Sequence, residues 1–337
     1  MKFTVIIPTR NRPDAFGRAL ASVLGQDFDD FEVVVVDDGS APVFRAAYDA
    51  IGQRHDARLR LFCLPRVRRG HGPAYARNFG VDQSVADYVC FLDDDDEWID
   101  RGFLARVARV IDGETRTVDL LLSDQVAYRG DVRLDQVIWT EDLRQVVRGL
   151  PRCAAGASEV RVPQLIQSGG FCHLNTTVVR RTFFWQIGGF DESIRYESDR
   201  DFYLRAIDAA SRIIYSPVVT ARHNVPAPGD HGSVSTALGP YDRHIFQLRL
   251  LDKAIIFSVQ NEVRQYARLH KVYTLKHIAE KLWRSGDYET AVYYARLVVL
   301  VGFNMKWLLF CCWLSARRMV GRIREVPARN LYYPPGT

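Results

Sequence analysis

Residues 88–100 read YVCFLDDDDEWID. An apolar run ends in four consecutive aspartates, Asp93 to Asp96, and the chain returns at once to Trp98 and Ile99. Adjacent carboxylates repel one another, so such a cluster persists cheaply only when it is solvated or when a cation neutralises it. Oxygen donors of this kind suit a hard divalent ion, Mg2+ or Mn2+. Two other polar tails share the setting: PTRNR (8–12) after the run FTVII, and DDGS (37–40) after FEVVVV. If the three apolar runs are parallel strands, their tails meet at one edge and the acidic cluster is part of a site. Solvated turns rich in Asp and Gly are the alternative for any one tail taken alone.

The elements that must position these tails follow from the pattern. FTVIIP is followed by the helical DAFGRALASVLGQ, then by FEVVVVDD, a segment without clear period, and ARLRLFCLP. Next come the helical GPAYARNFGVDQS and the strand DYVCFLD. An unbroken run such as Val33–Val36 reads as a strand buried on both faces, hence a parallel sheet with crossover helices. This is a doubly wound α/β domain, which takes its ligand beyond the carboxyl ends of the strands.

Composition agrees with a folded enzyme-sized chain. With 337 residues, 47% hydrophobic and 25% charged, there is enough apolar material for one large domain and a smaller one. A net charge of +5 does not call for nucleic acid. The six cysteines, at 63, 90, 153, 172, 311 and 312, form no CxxC, which argues against zinc ribbons and disulfide frameworks and fits a reducing cytoplasm. The chain opens directly on the strand pattern KFTVIIPT, without a signal-peptide pattern.

The stretches VIIPTRNRPDAFGRALASVLGQDFDDFEVVVVDDGS, GPAYARNFG, FLDDDD and IGGFDESIRYESDRDFYLR resemble the family 2 glycosyltransferases of GT-A fold. They occur in that family's order over about the first 230 residues. The resemblance implies a mostly parallel doubly wound sheet with flanking helices. It also implies an inverting transfer of sugar from a nucleotide-diphosphate sugar to an acceptor hydroxyl on a glycan or lipid-linked acceptor. Asp93, Asp94 and Asp95 fit the family's Asp-x-Asp, with Asp95 and Asp93 as metal ligands and Asp94 as a nucleotide contact; Asp96 and Glu97 are expected to open the next helix. Asp38 matches a base contact, where a carboxylate would accept the N3–H of uracil and so favours a UDP-sugar without fixing the base. Pro8, Thr9 and Arg10 match nucleotide-touching positions, and Arg77 is a diphosphate or base contact, its guanidinium offering a planar fork of donors.

The general base is expected in YESDRDFYLRA, where DFYLR aligns Asp199 with the family's base. Ser198 stands where relatives often have Glu, and Asp201 and Glu197 are the fallbacks. His173 and Asn175 lie between two glycine pairs and are candidates to face acceptor or sugar, as is Glu197. A histidine completing the metal shell is expected near the Pro/Gly/Ser-rich segment, His223 ahead of His231, with a loop that closes over the donor and excludes water.

The expected organisation is a nucleotide-sugar-binding and catalytic domain over 1–225, a flexible loop over 226–240, a helical region over 241–325 and a tail over 326–337. Within the helical region LKHIAEKLWRSGDYETAVYYARLVVLVGFNMKW resembles one tetratricopeptide-type hairpin, read as an appendage because one unit cannot bury its own face. The apolar LVVLVGFNMKWLLFCCWL is interrupted by Asn304 and Lys306 and falls short of a spanning helix. It is expected to pack in the core, with contact at the inner face of a membrane as the other reading, since basic residues follow it. Two other functions remain open: a nucleotidyltransferase, although IPTRNRPD lacks that class's Gly-rich loop and lysine, and an inactive relative that binds partners through its helical end.

Overall fold

The computed structural model describes residues 1–53, 56–134, 143–167, 170–226 and 238–325. His231, most of the loop over 226–240 and the tail over 326–337 lie outside the described residues.

One mixed sheet forms the spine. Strands β1 (Phe3–Thr9), β2 (Phe31–Asp37), β3 (Leu59–Cys63) and β4 (Tyr88–Phe91) run parallel in the order β3-β2-β1-β4. The sheet continues through β9 (Thr177–Arg180), antiparallel to both β4 and β6 (Leu120–Arg129). It then passes to β10 (Ile213–Asn224), parallel to β6, and ends at the two-residue β5 (Glu97–Trp98). Short strands β7 (Val132–Leu134) and β8 (Ser158–Val160) pair with β6 and β10. The parallel half is the expected doubly wound unit; antiparallel pairing enters where β9 is laid between β4 and β6.

Both faces of the sheet are covered, as the valine runs require. Phe31, Val33 and Val35 enter one core cluster and Val34 and Val36 the other, the period of two expected of a strand. Helices α1 (Pro13–Leu24), α2 (Pro42–Gly52) and α4 (Phe103–Asp112) pack on the first face. The second face carries α3 (Pro73–Asp82), α5 (Leu143–Val146), α6 (Val162–Gln167), α7 (Arg181–Gln186) and α8 (Ser198–Ala209). A proline opens α1, α2 and α3, where its missing N–H costs nothing. The segment without clear period thus contains a helix, α2, whose buried side is only Tyr48 and Ile51.

The C-terminal helices divide in two. From α9 (Pro240–Phe257) and α10 (Asn261–Arg284), Leu250, Leu251, Ala254, Val263, Tyr266 and Ala267 join the core of the sheet's second face. The distal part of α10 packs with α11 (Tyr288–Val301) and α12 (Met305–Glu325) around a small separate core, including Ile278, Ala291 and Leu314.

Two expectations are corrected. Asp96 and Glu97 do not open a helix: Glu97 and Trp98 form β5 against Arg222 and Ala221, and α4 begins at Phe103. Pairing with a strand distant in sequence overrides the local preference of the acidic pair for a helix start. The apolar stretch that ends in α12 is not packed wholly into the core either, because Met305, Leu309 and Trp313 are exposed.

Gly80 on α3 faces β1, and a Cβ there would sit 2.6 Å from Ile6 Cγ2. Gly80→Val is expected to lower stability by about 1–3 kcal/mol through overpacking, measured as a lower urea midpoint with unchanged slope.

Candidate active site

The register of the parallel strands brings the three polar tails together. Thr9 is level with Asp37, and Leu92 N–H donates to Ile6 O at 3.1 Å, so the acidic loop leaves β4 beside the end of β1. Each aspartate of the loop then meets its own partner. Arg77 of α3 donates to Asp93 Oδ1 at 2.5 Å. Arg12 spans two carboxylates, Nη2 at 2.5 Å from Asp94 Oδ1 and Nη1 at 2.6 Å from Asp95 Oδ2. Thr9 Oγ1 donates to Asp94 Oδ2 at 2.7 Å and lies 2.8 Å from Tyr48 Oη. A hydroxyl has one proton; Thr9 gives its own to Asp94, so Tyr48 donates to Thr9 and accepts from Arg12 N–H at 3.1 Å.

Asp96 is fully buried. Its Oδ2 accepts from Asn175 Nδ2 at 2.5 Å and pairs with His223 Nδ1 at 2.8 Å, while Oδ1 accepts Asn224 N–H at 2.7 Å. Asn175 Oδ1 takes the N–H of Asp93 at 3.0 Å, and Trp98 Nε1 donates to Asn175 O at 2.8 Å. The acidic loop is thereby stitched to the end of β10 and to the 3₁₀ turn Leu174–Thr176 that precedes β9.

On the β2 side, Asp38 caps the approach to α3. Its Oδ1 accepts His71 N–H and pairs with His71 Nδ1, both at 2.8 Å, and its Oδ2 accepts Gly72 N–H at 2.9 Å. Gly70 has φ +69, and a Cβ there would stand 2.5 Å from Asp38 Oδ2 and 3.0 Å from Arg10 Nη1, so only glycine lets this turn close on both groups. Arg10 also donates to Val67 O at 3.3 Å. His71 stacks on Tyr75 with centroids 4.8 Å apart. Pro8 lies inside β1 opposite Val36.

Opposite the acidic loop stands the start of α8. Asp199 Oδ2 lies 3.8 Å from His173 Nε2, which lies 3.9 Å from Asp93 Oδ2. The residue at the mouth of the helix, Glu197, is held in the left-handed region (φ 55), a strained setting for a non-glycine residue. Its carboxylate accepts from Gln247 Nε2 of α9 at 2.7 Å and from Arg200 Nη1 at 3.0 Å. Arg200 in turn donates to Tyr266 Oη of α10 at 3.0 Å. The other fallback, Asp201, is buried and pairs with Arg205 at 2.7 Å and Lys253 at 2.8 Å. Of the three acids only Asp199 is turned toward His173 and the acidic loop.

Burial and neighbours set the charges. Burial opposes ionisation of Asp93, but Arg77 and the two histidines outweigh it and hold the carboxyl down at about 2. Burial lowers His173 to about 4, helped by the positive charge of His223. His223 loses hydration too, yet the Asp96 carboxylate more than compensates and lifts it to about 9. Burial raises Asp199 against the pull of Arg77 and the Arg200 N–H, which moves it toward the range of a working proton acceptor.

Residues 4–147 match the profile of glycosyl transferase family 2. The chain carries a family 2 glycosyltransferase domain. Over 210 residues it is 29% identical to the amylovoran biosynthesis glycosyltransferase AmsB of Erwinia amylovora, an alignment covering 61% of this chain and 64% of AmsB. Less than two thirds of that relative is therefore matched. S. aureus TarS 1–349 in complex with UDP-GlcNAc aligns with TM-score 0.65 at 21% identity, over 89% of this chain and 81% of that one. The mannosyltransferase PcManGT from Pyrobaculum calidifontis, in complex with GDP-Man and Mn2+, aligns with TM-score 0.57 at 19% identity, over 96% and 82%. At these identities both structures speak for the fold alone, and that fold is GT-A.

Several residues of this family 2 domain escaped the reading from sequence. Arg12 stands two positions after Arg10 in PTRNR, and nothing local says which arginine folds back on the aspartates. His71 and Tyr48 carried no motif of their own, and Asp96 reads in the sequence as the start of a helix. Among the described residues one set of possible ligand atoms, from Asp96, His173 and His223, lies within 4.8 Å of one another. A carboxylate with two imidazoles is a plausible donor set for a divalent ion. Three of the four lone-pair positions of Asp96 are, however, taken by N–H groups, and an imidazole whose Nδ1 donates to a carboxylate presents Nε2 to a metal. The chemistry of the donors thus fits a metal, with Asp96 orienting His223.

In metal-free protein, an NMR titration is expected to place His223 near pH 9 and keep His173 neutral down to about pH 4. The stabilisation from charged His223 is full below its ordinary value of 6.5 and is lost as pH rises through about 9. Asp96→Asn is expected to bring the His223 midpoint down and to remove that loss from urea unfolding curves recorded between the two values.

Proposed function

We propose that this protein is a metal-dependent inverting glycosyltransferase that moves a sugar from a nucleotide-diphosphate sugar to an acceptor hydroxyl. What supports the reading is the convergence of two separate acidic elements. The loop 93–96 and the Asp199 carboxylate face each other across His173, 3.8 Å from Asp199 and 3.9 Å from Asp93, beyond the carboxyl edge of the sheet.

In this reading Thr9, Arg10, Asp38, Arg77 and Asp94 line the nucleotide, and Pro8 shapes the strand end beneath it. With Asp38 Oδ1 holding two N–H groups of His71 and Oδ2 holding Gly72 N–H, one acceptor position on Oδ2 remains for the base. A UDP-sugar suits it, since uracil offers an N–H there. Asp93, Asp95 and His223 would hold Mg2+ or Mn2+, with Asp96 fixing the tautomer of His223. When bound, such an ion supplies Lewis-acid stabilisation of the departing diphosphate.

Asp199 accepts the proton of the acceptor hydroxyl. The acceptor oxygen bonds to the anomeric carbon as the bond from that carbon to the diphosphate oxygen breaks, from the opposite face. His173, neutral at pH 7 by its burial, and Asn175 lie on the path between base and acidic loop, where they orient the acceptor or sugar; Glu197 holds the turn that aims Asp199. The acceptor is a glycan or a lipid-linked sugar, in line with the name of AmsB, an amylovoran biosynthesis glycosyltransferase.

Asp199→Asn is expected to lower kcat by about 10²–10⁴-fold with nucleotide binding intact, and Asp95→Ala to abolish metal-dependent nucleotide binding. The check is a thermal-shift screen of UDP, GDP, dTDP and CMP with and without Mn2+, followed by single-turnover transfer. Wild-type transfer by the Asn variant refutes the base; equal shifts with and without metal refute metal dependence.

A further inference from the structure

Surface helices ordinarily turn a polar face to water; α12 does the reverse. Met305, Leu309, Cys312 and Trp313 recur at helical spacing on its exposed side, with Lys306 and Arg317 at the two ends of the stripe, while Cys311 and Leu314 point inward. The neighbouring end of α11 and its loop continue the surface, Leu300 being 80% exposed and Phe303 69%. An open groove of about 590 Å³ runs between the two helices, lined by Val299, Leu300, Leu308 and Cys311 with Arg296 beside them. Single exposed apolar residues are ordinary; a contiguous stripe along two helices marks a contact surface.

The charge pattern says what it contacts. Residues 290–324 contain no Asp or Glu and six cations: Arg296, Lys306, Arg317, Arg318, Arg322 and Arg324. That stretch alone exceeds the net charge of +5 carried by the whole chain. A second copy would set cations against cations, and an acidic protein would match the charge but leave the apolar stripe without a reason. Lipid answers both, with acyl chains for the stripe and phosphates for the flanking cations. No helix among the described residues is long and apolar enough to cross a membrane, so the arrangement lies on the bilayer rather than through it.

We propose that the α11–α12 face is a docking surface for a lipid bilayer bearing anionic phosphate headgroups. The stripe sits at the headgroup–acyl boundary and the flanking cations engage lipid phosphates. The proposal is independent of the transfer chemistry.

The test is co-sedimentation of the full chain with vesicles of pure phosphatidylcholine, or of phosphatidylcholine with about 30% phosphatidylglycerol, at low and high salt. Partition into the anionic vesicles is expected to exceed that into the neutral ones by about tenfold or more, and to fall with salt. Leu300→Gln with Leu309→Gln, and separately Lys306→Gln with Arg317→Gln, are each expected to lower it by about tenfold. All four positions are outside the candidate active site, and circular-dichroism melting checks the fold. Failure of the wild type to bind either vesicle overturns the proposal without any variant. So does undiminished binding by both variants. A wild-type dimer in light scattering that the leucine variant dissolves assigns the face to self-association instead and also overturns it.

Discussion

Four neighbouring carboxylates at the end of a buried strand must each be neutralised or solvated, and the rest of the site is organised around that constraint. Asp96 has no exposure and Asp94 almost none, so solvation answers for at most part of the cluster. The fold brings a different group to each: Arg77 from α3 to Asp93, Arg12 from the β1–α1 turn to Asp94 and Asp95, and His223 with Asn175 and Asn224 to Asp96. Removing one such partner would leave a buried charge uncompensated, which is far more costly than the pair is stabilising. The site is therefore held by elements from both halves of the sheet, not by the acidic loop itself.

The same logic explains why α9 and the start of α10 belong to the fold that carries the candidate site. The turn that presents Asp199 needs a left-handed Glu197, and a non-glycine residue stays there only when its surroundings over-determine it. Gln247 and, through Arg200, Tyr266 supply those surroundings from α9 and α10. Lys253 adds ion pairs to Asp191 and Asp201 on either side of the turn. These helices bury Leu250, Leu251 and Tyr266 in the core of the sheet. The distal part of α10, α11 and α12 form a satellite core, and the apolar stripe of α12 is left uncovered beside it.

Much of this was legible because it rests on local period and order. The valine runs announced strands buried on both faces, and the polar tails after β1, β2 and β4 announced a shared edge. What was missed depends on contacts between distant segments. Asp96 and Glu97 look like the first turn of a helix, and become a strand only because β10 offers Ala221 and Arg222 to pair with. Arg10 and Arg12 are equivalent in a motif; the direction of the turn after β1 decides which reaches the aspartates. The segment before β3 holds a helix, α2, that lies at the margin of the sheet and buries only Tyr48 and Ile51.

The sequence by itself determined the alternation of strand and helix and the set of acids from which a site could be made, and its motifs carried the resemblance to family 2 glycosyltransferases, because these rest on spacing and short-range order. Tertiary structure alone decided which cation meets which carboxylate, that Asp199 rather than Glu197 or Asp201 faces His173, and that the apolar side of α12 is turned outward. Each of these is a matter of direction in space, set by how β9, β10 and the C-terminal helices pack, and no pattern along the chain encodes a direction between segments a hundred residues apart.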